Sequence, residues 1–128
     1  MEMESKKFTV KSRIWSFKYA INGIAHTFKH EKNIWIQSAC AIAIIIVGFI
    51  FKINRIEWIA IVFCIGVVLA CEIINTAIES IVDFISPEYH KKAGLIKDLA
   101  AGAVLIVSIM SVVVAAIIFI PKLILLFE

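Results

Sequence analysis

Apolar residues fill three long runs of the chain, and a periodic stripe precedes them. The first run, IWIQSACAIAIIIVGFIF, covers residues 34–51 and leads through the short connection KINRIE to the second. The second opens at Trp58 with WIAIVFCIGVVLA, passes through CEIINTAIESIVD and reaches residue 85. The third covers residues 99–120. Each meets the roughly 20 residues that the hydrocarbon core of a bilayer requires of a helix. The only long polar loop, residues 86–98, starts at Pro87, which stops a helix, and contains Gly94, which loosens the chain. Pro121 marks the end of the third span. These positions predict an all-α membrane protein.

Ahead of the first run, Val10, Ile14, Phe17, Ile21, Ile24 and Phe28 recur at helical spacing. They fall within about 40–60° of one face at 100° per residue. Lys11, Lys18, Asn22, His26 and Lys29 take other directions. The pattern predicts an amphipathic helix over residues 8–32, lying on a membrane surface with its basic side chains toward anionic headgroups.

Composition sharpens the class. The 128 residues are 62% hydrophobic, with a mean hydropathy of +0.98, where soluble domains sit nearer 45–50% apolar. Three spans occupy this length, leaving one domain over residues 1–128. The first sustained apolar run starts at Ile34, too late for a cleavable signal peptide. Lysine and arginine set the orientation. The segment before the first span carries seven, the first connection two, the loop before the third span three and the tail one. Placing the N-terminus and that loop in the cytoplasm puts ten inside against three outside. A net charge of +3, concentrated at membrane edges, gives no case for nucleic acid. Cys40, Cys64 and Cys71 lie in apolar runs without CxxC spacing and read as small buried side chains, with no disulfide framework.

The second span carries the chemistry. Glu72 and Glu79 are seven residues apart, so on a helix they point within about 20° of each other and lie about 10.5 Å apart along the axis. Asn75, Thr76 and Asp83 share that side. Two ionised carboxylates facing lipid would cost several kcal/mol, so the stripe must face protein, water or a cation. A three-helix bundle is thin, and a second subunit is expected to help cover it. Carboxylates so far apart cannot share one ion. Glu79, nearer the cytoplasm, suits Mg²⁺ bound with nucleotide phosphates, because Mg²⁺ takes only one or two protein oxygens. Glu72, deeper, suits a desolvated base within reach of a lipid hydroxyl. Glu31, just ahead of the first span, is a further candidate ligand. The polar loop offers Glu88, Tyr89, His90, Lys91, Lys92, Lys97 and Asp98 for polyphosphate and ribose.

Other readings compete. A structural role would have Asn75 bond a neighbouring helix and Glu79 pair with an interfacial lysine. A proton-coupled transporter would use an intramembrane Glu as its carrier. His26 and His30 have the i, i+4 spacing of metal ligands, but no third ligand accompanies them. Neither GxxxxGK[ST] nor GxGxxG occurs. Those absences exclude the common phosphate-binding folds, while phosphoryl transfer itself needs mainly positioning and charge neutralisation.

The stretch EIINTAIESIVDFISPEYHKKAGLIKDLAAGAVLI, with SFKYAINGI before it and FIPKL after it, closely resembles the bacterial diacylglycerol kinase family, which includes undecaprenol kinases. The resemblance covers nearly the whole chain. It implies a homotrimeric lipid kinase of the bacterial cytoplasmic membrane, with three spans and a surface helix. Such an enzyme would transfer the γ-phosphoryl group of ATP, with Mg²⁺, to a lipid hydroxyl. Position by position, it implies that Glu72 is the proton acceptor and that Asn75 positions reacting groups. It further implies that Glu79 and Glu31 bind metal, and that Tyr19, Glu88, Tyr89, His90, Lys97 and Asp98 contact the nucleotide. Where the family often has an arginine near the start of the surface helix, the ungapped match places Ser12, with Lys11 and Arg13 on either side. The FIPKL ending and compact KINRIE connection look more like the undecaprenol kinases. A relative with every match but no activity is the third reading of this resemblance.

Overall fold

The computed structural model describes residues 10–128, and they form four helices. These are α1 (Val10–His30), α2 (Lys32–Ile50), α3 (Arg55–Ile85) and α4 (Lys91–Ile124). The start expected for the first helix at residue 8 lies outside the described residues. Three helices, α2, α3 and α4, are long and apolar enough to cross a membrane. α3 and α4 form the main pair, α2 packs along α3, and α1 touches α2 and α3 near its C-terminal end.

A single residue, Glu31, separates α1 from α2. Its backbone is extended (φ −104°, ψ 124°) and its N–H bonds the Thr27 carbonyl at 2.8 Å. Thr27 is buried, and Trp35 Nε1 donates to the Phe28 carbonyl at 2.7 Å, which ties the start of α2 back to α1. The Trp35 ring meets Phe28 edge-on, with centroids 5.3 Å apart. Local bonds of this kind, rather than a broad interface, set how α1 joins the bundle.

The α2–α3 turn is shorter than the six residues expected, because Asn54 caps α3 and starts it at Arg55, three residues before Trp58. Asn54 Oδ1 accepts from the N–H groups of Ile56 and Glu57, and Glu57 Oε2 accepts from the Asn54 N–H at 2.8 Å, a reciprocal capping box. On the α2 side, Lys52 N–H reaches the Phe49 carbonyl and Ile53 N–H the Gly48 carbonyl, a Schellman closure. Its left-handed position falls to Lys52 (φ 49°) in place of the usual glycine. Gly48 is needed for another reason. A Cβ there would meet the Trp58 ring at 2.8 Å, so α2 and the start of α3 close together only over a bare backbone.

A small apolar core of Ile53, Ile61, Ile118 and Phe119 sits at this end of the bundle. Phe51 stacks edge-on against Phe119, and Lys122 Nζ pairs with Glu57 Oε1 at 3.1 Å. α4 therefore continues past Pro121, where the sequence reading ends it, to Ile124. Proline removes one donor from the ladder but does not stop the last turn, which closes through Leu125 N–H on the Pro121 carbonyl.

At the opposite end the loop contracts to residues 86–90. His90 caps α4, its Nδ1 accepting from Lys92 N–H at 3.2 Å, and Gly94 lies inside the helix. One helical glycine costs only about 1 kcal/mol, which the flanking KKA and LIKDLAA residues, good helix formers, offset. Lys97 and Asp98 thus stand on α4, not in a loop. The cysteines also differ from expectation. Cys40 is exposed, and Cys64 and Cys71 are partly so, because a bundle this thin leaves much of each apolar helix facing outward.

Replacing Asn54 by Ala removes two accepted bonds of the capping box. The expected loss is about 1 kcal/mol of stability, read as a shifted midpoint in a mixed-micelle SDS unfolding titration.

Candidate functional site

One helix, α3, brings Glu72, Asn75, Thr76 and Glu79 to one side at successive turns. Among the described residues the two largest fully buried side chains are Ile34 and Glu72. A carboxylate is thus as enclosed as the best-packed isoleucine, in a chain that exposes most of its large apolar groups. Gln37 of α2 donates from Nε2 to Glu72 Oε2 at 2.8 Å. Glu72 Oε1 is buried and has no hydrogen-bond partner among the described residues. Such an atom carries an unmet desolvation penalty of about 1–3 kcal/mol, more when charged. Below it, Thr76 Oγ1 donates to the Glu72 carbonyl at 3.0 Å, and Ser80 Oγ to that of Thr76 at 2.8 Å. Both hydroxyls are satisfied on their own helix, which leaves the acids as the stripe's free chemistry.

One turn from Glu72, Asn75 Nδ2 donates to Glu79 Oε1 at 3.0 Å, while the buried Asn75 Oδ1 is unsatisfied. Asn75 therefore bonds along α3, not across to another helix. Asp83, two turns from Asn75, is largely exposed, and Lys97 of α4 reaches it at 2.8 Å. That ion pair also places the Lys97 ammonium in the field of Glu79 and Glu31. A single cation on α4 is thus tied by contact to one carboxylate of α3, Asp83. Glu31 N-caps α2 by position, yet its side chain makes no capping hydrogen bond, so its carboxylate stays available.

Glu31, Glu79 and Asn75 Oδ1 are hard oxygen donors. Among the described residues, no three His, Cys, Asp or Glu side chains gather into a closed metal cage. This set fits Mg²⁺, which keeps waters and takes few protein ligands.

Of the remaining sequence candidates, four lie in the α3–α4 turn and the first turns of α4, and Tyr19 lies on α1. His90 caps α4, and Glu88 and Tyr89 are exposed in the turn before it, where Ser86 Oγ donates to the Glu88 carbonyl. Asp98 is exposed on α4. Tyr19 is exposed on α1, its ring 6.4 Å from that of Trp15. α3 holds Glu72, Asn75 and Glu79 on one side, with Asn75 bonded to Glu79 and Asp83 bonded to Lys97 further along, while Glu31 stands at the α1–α2 junction.

Sequence reasoning missed Gln37 and its neighbour Ser38, whose buried Oγ is also unsatisfied. The available signal was two adjacent polar residues inside an apolar span, IWIQSAC. Gln37 also lines an apolar cavity of about 270 Å³ between α2, α3 and α4, with Cys40, Cys64, Leu69, Ser108 and Ser111 among its walls.

Comparison with known proteins shows the family. The family model for prokaryotic diacylglycerol kinase matches residues 18–119. An undecaprenol kinase of Bacillus subtilis is 41% identical over 108 residues, covering 84% of this chain and 88% of its own length. A diacylglycerol kinase of Synechocystis is 33% identical over 109 residues, covering 84% of this chain and 62% of its own. The diacylglycerol kinase of Escherichia coli K12 is 28% identical over 104 residues, covering 76% and 85%. The match spans all four helices and every acid of the stripe, and this multi-pass membrane protein belongs to the prokaryotic diacylglycerol kinase family.

Proposed function

We propose that Glu72 is the general base for phosphoryl transfer from ATP to a membrane lipid hydroxyl. Family membership makes the chain a lipid kinase, a phosphotransferase with an alcohol acceptor. The observation that carries the assignment of the base is the buried Glu72 carboxylate with one oxygen held and the other free of protein partners.

In the proposed step Glu72 Oε1 takes the hydroxyl proton as the lipid oxygen bonds to the γ-phosphorus. The bond between that phosphorus and the β,γ-bridging oxygen breaks, and ADP leaves. Glu79 and Glu31 would hold Mg²⁺, which when bound neutralises charge on the phosphates. Asn75 orients the Glu79 carboxylate, and its free Oδ1 faces the reacting groups. Tyr19, Glu88, Tyr89, His90, Lys97 and Asp98 form the nucleotide's surroundings, supported for the last five by their places in the α3–α4 turn and the first turns of α4, and for Tyr19 by its exposure on α1. That end faces the cytoplasm of a bacterial cell, as the lysine and arginine distribution favours, with α1 on the membrane surface. The homotrimer is what the family resemblance implies, and the unsatisfied buried oxygens leave room for a partner subunit beside them. The 41% identity to an undecaprenol kinase, against 28–38% to the diacylglycerol kinases compared, leans toward undecaprenol as the acceptor.

Purified protein in detergent, given Mg²⁺ and γ-labelled ATP, is expected to move label into an organic-phase lipid, with undecaprenol outpacing diacylglycerol in parallel reactions. Glu72→Gln should lower kcat about 10²–10⁴-fold, the usual worth of a general base, with the helical circular dichroism unchanged. Full activity in that variant would refute the assignment. Asn75→Ala removes the amide that orients Glu79, and the Mg²⁺ concentration for half-maximal rate should rise about 10–100-fold. A Mg²⁺ titration at saturating ATP reads this directly.

A further inference from the structure

The bond from Gln37 crosses from α2 to α3, and three observations define what it does. First, the amide's orientation is fixed by chemistry. Only Nε2 can face a carboxylate oxygen 2.8 Å away, since Oε1 would repel it. Second, a glutamate's terminal torsion joins an sp³ carbon to an sp² carbon and is broad, so no rotamer preference fixes the plane of the Glu72 carboxylate. Third, the same carboxylate has one atom bonded to Gln37 and its twin buried without a partner among the described residues. The backbone bond from Thr76 holds the helix at Glu72 but leaves the carboxylate untouched.

We propose that Gln37 is a positioning residue: its amide clamps Glu72 Oε2 so that Oε1 presents its lone pair to the lipid hydroxyl. The inference rests on the kinase reading above. It makes α2 part of the reaction machinery, although none of that helix's residues needs to touch the phosphate. It also links the base to the apolar cavity between α2, α3 and α4, because Gln37 lines that cavity while holding the carboxylate. The hydrocarbon chain of an acceptor lying in the cavity would pass beside the residue that aims the base.

A simple interhelical tie predicts something different. Hydrogen bonds between membrane helices contribute about 1 kcal/mol or less, so loss of a tie would lower stability and leave turnover per folded molecule alone. A clamp predicts the reverse, since a misaimed reacting group can reduce rate on the order of 10²-fold.

The test uses the full chain in detergent with Gln37→Met, which keeps the side chain's length without a donor, and Gln37→His, which restores one. Gln37→Asn keeps an amide but withdraws it by one methylene, and serves if the methionine variant fails to fold. Expected is a fall in kcat on the order of 10²-fold in Gln37→Met and Gln37→Asn, with KM for ATP and for lipid unchanged. Recovery of kcat is expected in Gln37→His. The double variant Gln37→Met/Glu72→Gln should be no slower than Glu72→Gln alone, because a clamp has nothing left to aim. Wild-type kcat in Gln37→Met, or a loss confined to KM, would overturn the clamp and leave the kinase reading standing. A wild-type protein that labels no lipid would overturn both.

Discussion

A carboxylate withdrawn from water among apolar helices is the constraint around which this small protein is arranged. Burial of an ionised acid costs several kcal/mol unless hydrogen bonds replace its hydration. Glu72 receives one such bond to its side chain, from Gln37 on the neighbouring helix. That contact ties α2 to α3 at the level of the buried acid. It also leaves an atom whose need for a partner is met only by something arriving from outside the described chain. Evident strain of this sort, concentrated in one residue while most large apolar groups stay outward-facing, marks a site where stability has been given up for chemistry.

The rest of the bundle holds that residue in place from its two ends. At one end Asn54, Gly48 and the Ile53–Phe119 core fix the start of α3 against α2 and α4. At the other, the Lys97–Asp83 pair joins α4 to α3. Between them α3 sets Glu72 and Glu79 seven residues apart, about two turns, on one side. One fully desolvated acid and one partly buried acid can then do different work in the same reaction.

Much of this was legible in the sequence. The apolar runs located the three long helices, and the seven-residue spacing of Glu72 and Glu79 put both on one side of α3. The EIINTAIE motif identified the family before any geometry was known. What escaped was carried by interactions between elements. Loop 86–98 shrank because His90, judged as a nucleotide contact, also caps α4, and so Lys97 and Asp98 became helical. The KINRIE connection hid an Asn-x-x-Glu capping box. Asp83 left the buried stripe for the exposed end of α3 because Lys97 waited there. Gln37 stood with only Ser38 beside it in an apolar span, and nothing in a one-dimensional pattern says that it faces an acid thirty-five residues later.

The most direct measurement is the unfolding free energy of the doubly apolar variant Gln37→Leu/Glu72→Leu beside wild type in the same mixed micelles. Removing both partners of a buried polar pair leaves no group unsatisfied, so a site kept for chemistry should yield a protein as stable as wild type, or more so, that transfers no phosphate. A loss of several kcal/mol, or retained turnover, would mean that the buried acid is there to hold the helices together, contradicting the account.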